Sequence, residues 1–202
     1  ANASHELRTP VGIIQANAET LIQDSISEPD KKKEFLDAIH RSSQRLSRLI
    51  NDLLQISRIE EGKYEIQLRP ISVKGPADRA ADALEQLASE KNITIRREVP
   101  EDLKAVADMK ALEEIIYNLL DNAVKYTEEG GLVIVRTVEF GGAGGTGDRV
   151  RIEVEDNGPG IAPRDRERVF ERFFRVDTGR SREMGGTGLG LSTVYGIIDG
   201  HG

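Results

Sequence analysis

Phe35, Ile39, Ser42, Leu46, Leu49, Leu53 and Ile56 recur in alternating steps of four and three, a run of about six turns that only a helix with one buried seam produces. Leu36, Ile50 and Ile59 widen the stripe, and Gly62 ends it. Upstream, Leu7, Val11, Ile14, Ala18 and Leu21 repeat the same steps, which predicts a first helix reaching about Ile26. Ser27 to Asp30 form a polar break, with Asp30 placed to cap a second helix from Lys31. Two helices with stripes this wide cannot bury them against each other alone, because a hairpin leaves half of each stripe wet. Either a second copy completes a four-helix bundle or the stripes pack on the rest of the chain, and the periodicity leaves both open.

After Gly62 the period changes, which marks a boundary between residues 1–62 and residues 63–202. Strands are expected at Glu65–Leu68, Ile93–Arg97, Ala105–Asp108, Leu132–Phe140 and Arg149–Glu155, with helices at Pro76–Glu90, Met109–Tyr126 and Thr187–Asp199. The glycines from Gly141 to Gly147 read as a hairpin loop, and residues 157–186 as a long mobile loop with a short helix near Arg164 to Phe170. The fold class is α+β: a helical hairpin, then a mixed sheet with helices on one face.

With 202 residues and a formal net charge of -7, the chain lacks the broad basic surface that nucleic acid or anionic lipid would select. It contains no cysteine, which excludes a disulfide framework and a thiolate zinc site and fits the cytosol. No run of eighteen apolar residues is present. The first residues read as helix without a capping signal, as in a piece of a longer protein.

Four segments carry chemistry. His5 lies off the buried stripe of its helix, on the face of Thr9, Gly12 and Glu19. Glu6 can accept a hydrogen bond from one ring nitrogen and leave the other free to attack phosphorus. Pro10 removes the backbone bond that would reach the carbonyl of Glu6 and bends the helix there. Asn118, Asn122 and Lys125 share one helical face, with Ile115, Leu119 and Ala123 expected toward the sheet. Amide oxygens suit a Mg²⁺ that arrives with nucleotide phosphates, and the lysine neutralises phosphate charge. Asp156 ends a strand ahead of Gly158 and Gly160, where an adenine amino group could meet a carboxylate. Gly186-Thr187-Gly188-Leu189-Gly190-Leu191 runs into a helix, exposing amides to an anion. Its spacing is neither that of a P-loop nor that of a dinucleotide fold.

Together these segments resemble the histidine kinases of two-component signalling, over nearly the whole chain. Ser4–Pro10 is similar to the phosphoacceptor box, Asn118–Tyr126 to the N box, Asp156–Ile161 to the first glycine box, Phe170–Asp177 to the F box and Gly186–Leu191 to the second glycine box. Within the family, the first box is faintly similar to that of phosphate-starvation sensors. The resemblance implies a dimeric four-helix bundle followed by a GHKL-type ATP-binding α/β sandwich. It implies His5 as nucleophile, oriented and deprotonated by Glu6, with ATP and Mg²⁺ as cofactors. Asn122 would hold the metal and Asn118 would support the nucleotide. Lys125 and Arg175 would contact phosphates, and Asp156 would read adenine between Tyr126 and Ile161. The second glycine box would close over the triphosphate, with Phe173 and Phe174 anchoring the lid. Thr9 is similar to the residue that positions water when such kinases dephosphorylate their partner. The implied partners are a response-regulator receiver domain and a second copy through the hairpin, without nucleic acid. Membrane attachment would come only through segments outside this chain, which would work in the cytoplasm. The family usually adds two further strands beyond His201.

Two other classes share parts of this pattern. A nucleotide-binding docking scaffold would be expected to lack one of His5, Glu6, Asn122 or Asp156. A clamp ATPase would activate water with a carboxylate and has no use for the hairpin.

Overall fold

The protein is described from a computed structural model, over residues 2–23, 28–140, 149–176 and 186–201. Helices α1 (Asn2–Ile22) and α2 (Pro29–Glu60) pack along one another as a hairpin. Ser42, Leu49 and Ile56 are buried as the heptad-like spacing requires. On α1 the seam differs from the expected one: Pro10 is buried, whereas Val11 is 37% exposed. A proline in mid-helix has no N–H to hydrate and a compact apolar ring, so it is well suited to the inner face. The end expected near Ile26 falls outside the described residues. Helix α2 starts two residues earlier than expected, with Pro29 in its first turn and, among the described residues, no side-chain cap. Proline's fixed φ suits that position, and Asp30 stands within the first turn, where the helix dipole favours a carboxylate.

The second domain contains β1 (Arg69–Ser72), α3 (Lys74–Asp82), α4 (Glu85–Glu90), β2 (Thr94–Glu98), β3 (Lys104–Ala107) and α5 (Met109–Tyr126). These are followed by β4 (Leu132–Phe140), β5 (Arg149–Asp156), 3₁₀ turns at Pro163–Asp165 and Arg168–Phe170, and α6 (Gly190–His201). Strand β4 pairs in parallel with β2 and antiparallel with β5, giving the mixed sheet; β1 and β3 form a separate antiparallel pair. The strand expected at Glu65–Leu68 instead begins at Arg69. The reason is Asp108: one of its oxygens caps α5 through the amides of Lys110 and Ala111, and the other accepts from the Gln67 amide at 2.9 Å. A single carboxylate thus takes a ladder donor from the expected strand and removes itself from the end of β3. The expected helix at Pro76–Glu90 is two helices, broken where Leu84 turns inward to 2% exposure. The glycine loop Gly141–Gly147 and residues 177–185 of the lid lie outside the described residues.

Val73, Ala77, Ala81, Ile116, Leu120, Val124, Val133 and Val135 make one core between α3, α5 and the sheet. The stripe of α5 is Leu112, Ile116, Leu120 and Ala123, one residue on from the expected Ile115 and Leu119, which are half-buried. Leu120 has no exposed surface. Leu120→Ala is therefore expected to cost about 2–5 kcal/mol of stability, the range for a truncated buried leucine, read as a lower urea midpoint. Among the described residues no helix is long and apolar enough to cross a membrane.

Candidate functional site

His5 stands exposed on α1, and the Thr9 hydroxyl donates to its backbone carbonyl at 3.3 Å. That back-bond lies within the turn that Pro10 loosens. Its neighbour Glu6 is turned inward, its side chain only 14% exposed. Glu6 Oε2 accepts from Arg45 of α2 at 3.1 Å and from Arg175 of the F-box segment at 3.0 Å. The Arg175 side chain is 4% exposed and also donates to the Gly186 carbonyl at 2.7 Å. One guanidinium therefore joins the phosphoacceptor turn, the F box and the second glycine box. Arg45 had no motif to mark it; its place beside Leu46 on a long amphipathic helix reads as surface charge.

The glycines of the second box have steric causes. Gly188 has φ +72°, and a Cβ there would lie 3.0 Å from Phe173 Cα. Phe173 itself has φ +63°, rare for an aromatic residue, and its N–H donates to Gly188 O at 2.8 Å. A Cβ on Gly190 would meet the Asn118 Oδ1 at 2.9 Å. The box is thus fitted between the F box and α5. Leu189, fully buried, packs with Leu49 and Ile56 of α2 and against Leu7, Leu53 and Phe173.

On α5, Asn118 and Asn122 are half-buried, and Lys125 pairs with Asp121 one turn back. Asp156 ends β5 and accepts from the Gly158 amide at 2.9 Å. A Cβ on Gly158 would stand 3.1 Å from the Tyr126 carbonyl, and Gly160 has φ +70°. Backbone crowding and backbone conformation, not ring approach alone, demand these glycines. Tyr126 and Ile161 are about two-fifths exposed, at 39% and 41%. A cleft of about 330 Å³ is lined by Arg164, Asp165, Arg168, Phe174, Arg175 and Val176, and so belongs to the F box rather than to Asp156 or Asn122.

Between α2 and the lobe lie carboxylates that sequence reasoning missed. Burial pushes Asp52 above its ordinary range, partly offset by a hydrogen bond with Thr187 and by the charges of Arg48 and Lys125. Burial likewise raises Glu114, against hydrogen bonds from Gln55 and Tyr64. Burial, then the Glu114 charge, lifts the Tyr64 hydroxyl to about 12. Because both carboxyls bind protons more tightly in the packed state, the packed form is favoured at low pH and loses that advantage as pH rises through their elevated pKa values. The chain has no cysteine, so a donor–acceptor pair at Glu34→Cys and Glu128→Cys reports the packing. Energy transfer should fall as pH climbs out of the carboxylate range, and Asp52→Asn with Glu114→Gln should flatten the curve.

Among the described residues no three His, Cys, Asp or Glu side chains group as metal ligands. The donor set present, one half-buried amide at Asn122, suits an ion brought in by a phosphate chain and not an ion caged by protein alone.

Residues 1–62 match the His Kinase A (phospho-acceptor) domain. Residues 107–202 match the histidine kinase-, DNA gyrase B- and HSP90-like ATPase family. The sensor-like histidine kinase SenX3 of Mycolicibacterium smegmatis is 37% identical over 201 residues, which cover all of this chain and half of SenX3. The chain thus spans about half the length of that relative, and 26% of the circadian input-output histidine kinase CikA of Synechococcus elongatus, to which it is 35% identical. Among solved structures, the mycobacterial sensor histidine kinase MprB is 30% identical, with TM-score 0.56 over 67% of this chain and 80% of that one. The histidine kinase ThkA, solved in complex with the response regulator protein TrrA, is 25% identical with TM-score 0.74, over 100% of this chain and 54% of that one.

Proposed function

Because the chain belongs to the sensor histidine kinases, we propose that it transfers the γ-phosphoryl group of ATP to His5 and then to an aspartate of a response-regulator receiver domain. The observation that carries this reading is the contact of Arg175 with Glu6. A residue of the α/β lobe reaches the helical turn of the phosphoacceptor, which supports a reading in which that lobe delivers its nucleotide to that turn.

In the first step a ring nitrogen of His5 attacks the γ-phosphorus, the bond to the bridging oxygen breaks, and ADP leaves. The imidazole proton passes to Glu6, a carboxylate whose place is set by two guanidiniums. Asp156 accepts from the adenine amino group, with Tyr126 and Ile161 as walls. Asn118 supports the nucleotide, and Lys125 and Arg175 neutralise phosphate charge. The amides from Gly186 to Leu191 face the triphosphate at the start of α6. Asn122 would hold Mg²⁺, which supplies charge neutralisation between the phosphates when bound. In the second step the phosphoryl group moves from the His5 nitrogen to the receiver's carboxylate, the N–P electron pair returns to that nitrogen, and the ring takes back its proton from Glu6. Thr9 sits one turn from His5, where its hydroxyl could orient water for dephosphorylation of that partner.

The hairpin is read as a homodimer interface. Leu36, Ile50 and Leu54 of α2 are 57%, 44% and 57% exposed, an apolar stripe that a second hairpin would cover in a four-helix bundle. The site of action is the cytoplasm, where ATP and receiver domains meet; any membrane anchor would belong to segments outside this chain. The test is incubation with γ-labelled ATP, Mg²⁺ and a panel of receiver domains. The expected product is an acid-labile, base-stable phosphoprotein that discharges onto one receiver. Label stable to acid would overturn the reading.

A further inference from the structure

Lys91 stands outside every motif, at the end of α4. Its ammonium donates to three backbone carbonyls, Val124 at 2.7 Å, Lys125 at 3.0 Å and Thr127 at 2.6 Å. These belong to the last turn of α5 and to its C-cap residue, Thr127, where a helix leaves carbonyls without intrahelical donors and the dipole is negative. A cation is the fitting cap there, and one with three donors can meet all three oxygens. The loop that follows, at Glu129–Gly131, is fastened from the same side. The Lys91 carbonyl accepts from the Gly130 amide at 3.0 Å, Thr94 N–H donates to Gly131 O at 3.0 Å, and Asn92 Nδ2 donates to Glu129 at 3.0 Å.

The opposite side of that loop is the floor of the adenine turn. The Tyr126 carbonyl and Thr127 Cα stand 3.1 Å and 3.5 Å from where a Gly158 side chain would begin. A Cβ on Gly131 would collide with Thr127 and come within 2.8 Å of Asn157 Oδ1. Asn157 Oδ1 in turn accepts from the Leu132 amide at 2.9 Å. Residues 127–131 are thus wedged between the α4–β2 turn and the Asp156–Gly160 turn, with no slack on the second side.

We infer that Lys91 is a positioning residue for the nucleotide site, holding the end of α5 so that Asn122 and Tyr126 stay in register with Asp156 and Gly158. It touches no substrate. Removing the charge leaves the last carbonyls of α5 to find water or to shift, and any shift carries the Tyr126 carbonyl against or away from Gly158. The inference rests on the proposal that α5 and the Asp156–Gly160 turn hold adenine nucleotide, and the experiment separates the two.

Wild type, Lys91→Met and Lys91→Arg are titrated with MgADP by calorimetry, well below each variant's melting temperature, so that only folded protein is measured. Methionine keeps the stem and removes the donors. Lys91→Met is expected to bind roughly tenfold more weakly, as for a lost charged hydrogen-bonding group, and to raise KM for ATP with kcat at saturation little changed. Lys91→Arg, which keeps charge and donors, should recover most of the affinity. If wild type fails to bind MgADP, the nucleotide reading itself falls. If wild type binds and Lys91→Met binds within twofold, or loses affinity only in step with its unfolded fraction, the positioning role is overturned.

Discussion

His5→Gln is expected to abolish incorporation of γ-phosphate, by more than about 10³-fold, as removal of a nucleophile does, while MgADP binds within about twofold because the substitution is remote from the residues proposed to hold nucleotide. His5 is exposed on α1, whereas Asn122 and Asp156 lie on α5 and at the end of β5, in the other domain. Glutamine keeps polarity and helix propensity but offers no nitrogen lone pair that can form a phosphoramidate. The protein has three histidines. His40 is also exposed, its Nε2 3.0 Å from the Gln44 amide nitrogen, so the control is to map any residual label. Label persisting at wild-type rate in His5→Gln, on His40 or elsewhere, would refute the assignment.

Much of this was legible because the informative residues act locally. The α2 seam is a one-dimensional pattern, and Ser42, Leu49 and Ile56 are buried where the spacing puts them. The alternating segments of β4 and β5 likewise pair residue for residue, from Val133 with Asp156 to Phe140 with Arg149. What failed was decided by atoms far apart in sequence. Whether Gln67 joins a strand depends on Asp108, 41 residues away. Helix propensity does not reveal that Leu84 must turn inward. The stripe of α5 was displaced by one residue because Ile115, Ile116, Leu119 and Leu120 offer two equally apolar faces, and only the packing partner chooses between them. Arg45, Asp52, Glu114 and Lys91 were invisible for the same reason. A charged residue on an amphipathic helix reads as solvated until the surface that covers it is known. The clamp-ATPase alternative shares the ATP lobe, and it is the hairpin, matched over residues 1–62 to the phospho-acceptor domain, that separates the two.

Arg175→Ala should lower autophosphorylation by about 100-fold or more, the scale for losing one charge-stabilising group, while changing MgADP affinity less than about threefold, because ADP lacks the γ-phosphate. Arg175 is nearly sealed, at 4% exposure, between Glu6 and the Gly186 carbonyl. Among the described residues its buried Nε finds no hydrogen-bond partner. In the packed arrangement it pairs with the carboxylate beside the phosphoacceptor. On the proposed reading a bound triphosphate would offer the same guanidinium a second anion, and exchange of one for the other would free Glu6 to take the His5 proton. The two partners are not equivalent. Arg175→Ala leaves Glu6 still held by Arg45 at 3.1 Å, so the hairpin should remain folded and the loss should appear in the chemical step. Glu6→Ala leaves two inward-facing guanidiniums facing each other, and should loosen the packing as well as slow the reaction. Phosphorylation rates for Arg175→Ala, Glu6→Gln and the double variant complete the test. Strong non-additivity is the expected outcome for groups that share one task. Independent effects that simply multiply, or an Arg175→Ala rate equal to wild type, would show that the contact is packing alone.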